Sequence, residues 1–163
     1  YAMTIQEYNN CVRLYSDGVF RFVLKNIANR ADAQDIVQNT FEKLWRKCDG
    51  VQYEKAKSYL YSIAHNDMID QIRKRKFIQS YQQVPERAGG TFDKQLESKD
   101  IMEQSLAELS PTQRSLILLR DYEGYNYEEI AELTELSLSQ VKVYLFRARK
   151  KMQVVINRLD KAV

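Results

Sequence analysis

The chain has 163 residues, enough for one domain or two small ones. Its composition, 44% hydrophobic and 29% charged, is that of a folded globular protein and excludes a disordered one. Five Gly and two Pro are too few for the many tight turns of an all-β fold, and a net charge of +3 is too small to argue for a nucleic-acid partner by itself.

Taken in order, the sequence reads as helix almost throughout. A first helix is expected over about Ile5 to Asn29, with Val12, Tyr15, Val19, Phe20, Val23 and Ile27 apolar. A second is expected from near Asp32 to near Cys48, where Ala33, Ile36, Val37, Phe41 and Leu44 form one stripe. Asp32 is its expected N-cap, Asp35 lies in the first turn, and Asp49-Gly50 ends it. After a loop to about Lys57, a third helix is expected from Ser58 to about Tyr81, with Leu60, Ile63, Ala64, Met68 and Ile72 inward. Val84 to Thr91 then holds one of the two prolines and two of the five glycines, and reads as a linker between two domains. About fifteen flexible residues there would let the domains clamp together or splay apart. Helix resumes near Phe92 or Asp93 and runs to Leu109. Ser110 then caps the next helix, with Pro111 at its first position and Gln113 completing a capping box. Ser115 to Tyr122 is apolar and helical, and Gly124 closes it.

The last forty residues carry the sharpest pattern. Ile130, Ala131 and Leu133 give a short helix an apolar face, with Asn126 and Glu129 as its capping box. Ser137 and Gln140 can cap a following helix, on which Val141, Leu145, Ala148 and Met152 share one face. Val143, Phe146, Arg147 and Lys150 point the other way, flanked by Lys142 and Arg149. This is the layout of a helix-turn-helix: small Ala131 permits a close crossing, and a basic second helix is free to enter a major groove. A helical hairpin with a solvated charged face is the alternative. Basic residues also cluster at Arg73 to Lys76, while acidic ones crowd Glu123 to Glu135.

Other chemistry is poorly provided for. Cys11 and Cys48 lack metal-ligand spacing and His65 is the sole histidine, so no zinc site or cofactor is expected. Two buried free thiols are the expected state, although sequence leaves a disulfide open. There is no Gly-rich phosphate loop and no nucleophile beside a base, so no enzymatic activity and no small-molecule substrate are expected. No apolar run is long enough to span a membrane, no signal peptide is expected before the fold, and a cytoplasmic protein is the expectation. Tyr1 and Ala2, before Met3, read as an added remnant.

Four blocks together resemble the extracytoplasmic-function group of bacterial RNA polymerase sigma factors. Asp32-Ala-Gln-Asp-Ile-Val-Gln-Asn-Thr-Phe-Glu-Lys-Leu-Trp45 resembles that group's region 2 helix, and Lys57 to Lys76 the helix after it. Leu109-Ser-Pro-Thr-Gln-Arg-Ser-Leu-Ile-Leu-Leu-Arg120 resembles the start of region 4, and Ser137 to Lys151 its recognition helix. The resemblance implies an all-α protein of two small domains: region 2 over residues 3–82, a linker over 83–96 and region 4 over 97–163. It implies core RNA polymerase and promoter DNA as partners, with an anti-sigma factor, often membrane-anchored in that group, as a further one.

The resemblance also distributes roles. Reading of the −10 element falls on Tyr59, Asn66, Arg73, Lys74, Arg75 and Lys76, together with the loop Asp49 to Ala56. Tyr59, Asn66, Asp70 and Arg73 recur at spacings of seven, four and three, and an aromatic ring, an amide and a guanidinium on one stripe suit an extruded base. A structural Tyr59 and an Asp70–Arg73 surface pair are the alternatives. Polymerase docking falls on Asp32, Asp35, Gln38, Glu42 and Trp45, beside Leu44. Reading of the −35 element falls on Lys142, Val143, Phe146 and Arg147, with Gln140, Arg149 and Lys150 as phosphate contacts. The chain departs from the group's pattern at Glu135, where Gly is usual, at Ser139-Gln140, and at Val143-Tyr144, where Ser-Arg is common. A positive φ at Glu135 would cost roughly 1 kcal/mol. Against the promoter-specificity reading stand an autonomous helix-turn-helix regulator, which would not need the first two blocks, and a helical adaptor without a nucleic-acid role.

Overall fold

A computed structural model describes residues 2–82 and 98–161, all of whose regular elements are helical. The expected linker, residues 83–96, lies outside the described residues. Helices α1 (Ile5–Ile27), α2 (Arg30–Arg46) and α3 (Ala56–Gln82) form the first half, with a 3₁₀ turn at Tyr53–Lys55 before α3. They pack mutually around Val19, Phe22, Val23, Ile36, Leu44, Leu60, Ala64 and Met68. Burying such side chains stabilises the bundle by about 1.5–3 kcal/mol each.

The N-cap of α2 is Asn29, not Asp32. Asn29 leaves the helix at φ −131° and its side chain accepts from the Asp32 N–H at 3.0 Å. Asp32 thereby falls in the first turn, and its carboxylate is free to pair with Arg75 of α3. Cys11 is buried, but Cys48 is only half-buried; both are free.

The second half comprises α4 (Ser98–Ala107), α5 (Pro111–Ile117), α6 (Tyr127–Thr134) and α7 (Leu138–Lys161). Leu106, Leu116, Leu119, Ile130, Leu145 and Val155 fill its core. Ser110 and Gln113 form the expected capping box, and α5 runs on through a π-helical turn, Leu118–Tyr122, to Gly124 at φ +79°.

The halves meet directly, α3 against α5 and α6, and α1 against α5. One buried cluster is continuous across both halves, and hydrogen bonds join them as well. The Tyr61 hydroxyl donates to Glu123 at 2.9 Å, and Arg21 reaches the same carboxylate at 3.5 Å. Ser62 donates to the Leu133 carbonyl at 2.9 Å, and His65 Nδ1 lies 2.7 Å from the Ser115 hydroxyl. Arg114 of α5 donates to the Leu106 and Leu109 carbonyls and, across the seam, to that of Asn26.

Candidate nucleic-acid and polymerase interfaces

The turn between α6 and α7 aims the recognition helix. Asn126 and Glu129 cap α6 reciprocally, and Ser137 and Gln140 do the same for α7, at 2.9 and 3.1 Å. Glu135 ends α6 at φ +61°, ψ +23°, the left-handed conformation a glycine would adopt without strain. Val141, Leu145 and Ala148 of α7 are buried. The opposite face is open: Val143 is 44% exposed and Phe146 60%, among exposed Gln140, Lys142, Arg147 and Lys150. Large apolar side chains held out in solvent on a basic face suit contact with thymine methyl groups. Lys150 Nζ lies 4.8 Å over the Phe146 ring, which keeps a cation beside it. A shallow groove of about 270 Å³ runs along this face, lined by Ser139, Gln140, Val143, Tyr144 and Arg147. Ser139 and Tyr144 were not among the sequence candidates; their spacings of three and four from Arg147's row are the signal that would have found them.

Arg149 is exposed but engaged. Its guanidinium donates to Asp121 at 3.1 Å and to the Tyr127 hydroxyl at 3.4 Å, so it also ties α7 to α6 and the turn before it. The Tyr127 bond, and then Asp121, hold it more basic than an ordinary arginine.

On α3, Asn66, Asp70, Arg73, Lys74 and Lys76 are exposed. Tyr59 is half-buried and packs against the core, so the stripe joining it to Asn66 is only partly open. Arg75 is exposed but paired with Asp32. Beyond the basic run, Phe77 and Tyr81 stand in solvent with rings 6.5 Å apart and 15° from parallel. Their i, i+4 spacing was legible in sequence, although neither was a candidate.

On α2, Asp35, Gln38 and Glu42 are exposed at spacings of three and four, so one acidic stripe faces solvent. Trp45 continues it, 47% exposed, its ring edge-on to Tyr8 at 4.9 Å. Lys43 binds Asp67 of α3 at 2.6 Å and holds the two helices in register. A half-exposed tryptophan fixed by a neighbouring ring is a rigid contact surface.

Among the described residues no group of three or more His, Cys, Asp or Glu is gathered to hold a metal ion. No described helix is long and apolar enough to cross a membrane. Burial raises the Cys11 thiol above its ordinary value, which keeps it protonated and unreactive.

Two family descriptions match, in the order and places of the two halves: Sigma-70 region 2 over residues 11–78, and Sigma-70 region 4 over residues 99–152. The chain belongs to the extracytoplasmic-function group of the sigma-70 family. It is 28% identical over 163 residues to the ECF RNA polymerase sigma factor SigM of Bacillus subtilis, covering 96% of this chain and 97% of that one. It is 29% identical over 153 residues to the sigma factor SigV of the same organism, covering 92% and 91%. In fold it is similar to the sigma factor RpoE of Bartonella quintana, solved with the anti-sigma factor NepR. That match has a TM-score of 0.76 and 24% identity, over 94% of this chain and 98% of that one. A sigma factor is a promoter-specificity subunit of RNA polymerase. An autonomous regulator is not favoured, because the region 2 half has no place in one.

Proposed function

We propose that this sigma factor divides its work among three of the surfaces described above. The acidic stripe of α2, with Asp35, Gln38 and Glu42 beside Trp45, docks on a basic surface of core RNA polymerase; Asp32 joins it when Arg75 turns to DNA. Asn66, with Tyr59 beside it, reads an extruded −10 base, while Arg73 to Lys76 hold the flanking phosphates. On α7, Lys142, Val143, Phe146 and Arg147 read the −35 element, and Gln140, Arg149 and Lys150 steady the backbone. The observation that carries this reading is that the two basic surfaces and the acidic one are open on separate helices, α3, α7 and α2, each of which buries its opposite face.

The chain supplies no catalysis of its own; the polymerase performs the chemistry, in the cytoplasm. An anti-sigma factor, membrane-anchored or not, is a fitting further partner. Run-off transcription with purified core polymerase, followed by start-site mapping, tests the assignment. Specific transcripts that depend on this chain are expected. Sequence-specific DNA binding without polymerase, and no transcript with it, would instead favour an autonomous regulator.

A further inference from the structure

We infer that the cleft lined by α3, the α4–α5 turn and α7 is a binding site for a nucleotide carrying two or more phosphates, which competes with the DNA backbone for Arg75 and Lys76. The site goes beyond the functional reading above; only the competition rests on it. The cleft has a volume of about 550 Å³, within the range of about 300–1,000 Å³ that small-molecule sites occupy. Ile72, Arg75, Lys76 and Gln79 lie three and four apart on α3 and so share the face that lines it. The turn between α4 and α5, Arg114 of α5 and Lys151 of α7 continue the lining.

Charge selects the ligand. The lining holds four cations, Arg75, Lys76, Arg114 and Lys151, against one carboxylate, Glu108, and Arg158 already occupies that carboxylate. Arg75 has Asp32, but among the described residues no carboxylate pairs with the other three. Arg114 is half-buried and its guanidinium donates to backbone carbonyls alone. Carbonyls satisfy its N–H groups without neutralising its charge, and burial lowers its pKa, as expected of a cation short of a counter-ion. Lys76 and Lys151 come from opposite halves of the chain, and the fold alone brings them to one cleft, where a bound anion relieves their repulsion. A di- or triphosphate meets that need: its terminal group carries about −1.5 to −2 near pH 7 and each inner one roughly −1. The remaining lining suits a nucleoside. Ile27, Ile72 and Pro111 offer the base an apolar wall, and the amides of Gln71 and Gln79 offer its edge donors and acceptors.

Lys151→Gln tests the site, since Lys151 is assigned to neither polymerase nor DNA; its exposure leaves helical content unchanged. A fluorescent ATP analogue is titrated into the full chain at about 0.15 M salt, where charges beyond about 8 Å are screened. Saturation below about 1 mM is expected, within the range in which enzymes meet their substrates. ATP and GTP are expected to displace the analogue roughly tenfold better than inorganic triphosphate does, and adenosine not to displace it. Lys151→Gln removes one charge-assisted contact and is expected to weaken binding roughly tenfold. No saturation by that concentration, or equal binding by the variant, would overturn the site; inorganic triphosphate displacing as well as ATP would overturn the nucleotide. For the competition, promoter binding by holoenzyme is measured with and without the analogue. The analogue is expected to weaken wild type and to spare Lys151→Gln, and an equal effect on both would place its action in the polymerase and overturn the competition. Failure of wild-type holoenzyme to bind the promoter without nucleotide would overturn the functional reading instead, while the titration on the chain alone still decides the site.

Discussion

His65 makes the packing of α3 on α5 sensitive to acid. It is 6% exposed, its Nδ1 lies 2.7 Å from the Ser115 hydroxyl, and burial lowers its pKa from 6.5 to about 4. A neutral ring can accept from Ser115 or donate to it; a protonated ring can only donate, and carries a charge into a buried site. The folded chain therefore binds fewer protons than the unfolded one between pH 6.5 and 4. Stability from this group is fully present above about pH 6.5 and is lost as the pH falls toward 4. A shift from 6.5 to about 4 corresponds to roughly 3 kcal/mol over the whole window, and about 2 kcal/mol of that is lost by pH 5. Urea titrations of wild type and His65→Gln at pH 7 and pH 5 measure it. Carboxylates contribute equally to both proteins, so the difference between the two pH effects isolates the imidazole. Wild type is expected to lose about 2 kcal/mol more than the variant. Equal losses would refute the argument and place His65 in contact with water in the folded chain.

Other expectations follow from the three surfaces. Reversing Asp35 and Glu42 to Lys should weaken core polymerase binding, read in a fluorescence titration, with helical content unchanged; full affinity would remove α2 from the docking surface. Asn66→Ala should lower open-complex formation more than core binding, and normal permanganate reactivity of the −10 region would move base reading to the Asp49–Ala56 loop. Arg147→Ala should cost roughly 1–3 kcal/mol at the preferred −35 sequence and relax one base pair. Arg149→Ala should weaken all sequences alike and flatten the salt dependence by about one unit, with up to about 1 kcal/mol of lost stability from its Asp121 pair; a promoter library at two salt concentrations separates the two outcomes. Glu135→Gly should relieve the left-handed strain, and after the entropy cost of glycine should stabilise the chain by about 0.5 kcal/mol in thermal unfolding. No gain in melting temperature would show the strain to be offset locally.

The sequence by itself determined every feature whose cause lies within a turn or two of helix. The Ser110, Asn126 and Ser137 capping boxes and the buried stripes of α2 and α7 follow from residues three or four apart. The start of α2 was misplaced: the cap is Asn29, three residues before the expected Asp32, whose carboxylate instead pairs with distant Arg75. Periodicity tells which face of a helix is buried, not what covers it. Tertiary structure alone decided that Tyr61 meets Glu123, 62 residues away, that His65 meets Ser115, 50 away, and that Arg149 turns back to Asp121, 28 away. Each of those pairs joins residues far apart in the chain, so it exists only once the helices are packed. The exposed faces of α2, α3 and α7 were thus readable from side-chain spacing, whereas the contacts between the two halves belong to the folded arrangement.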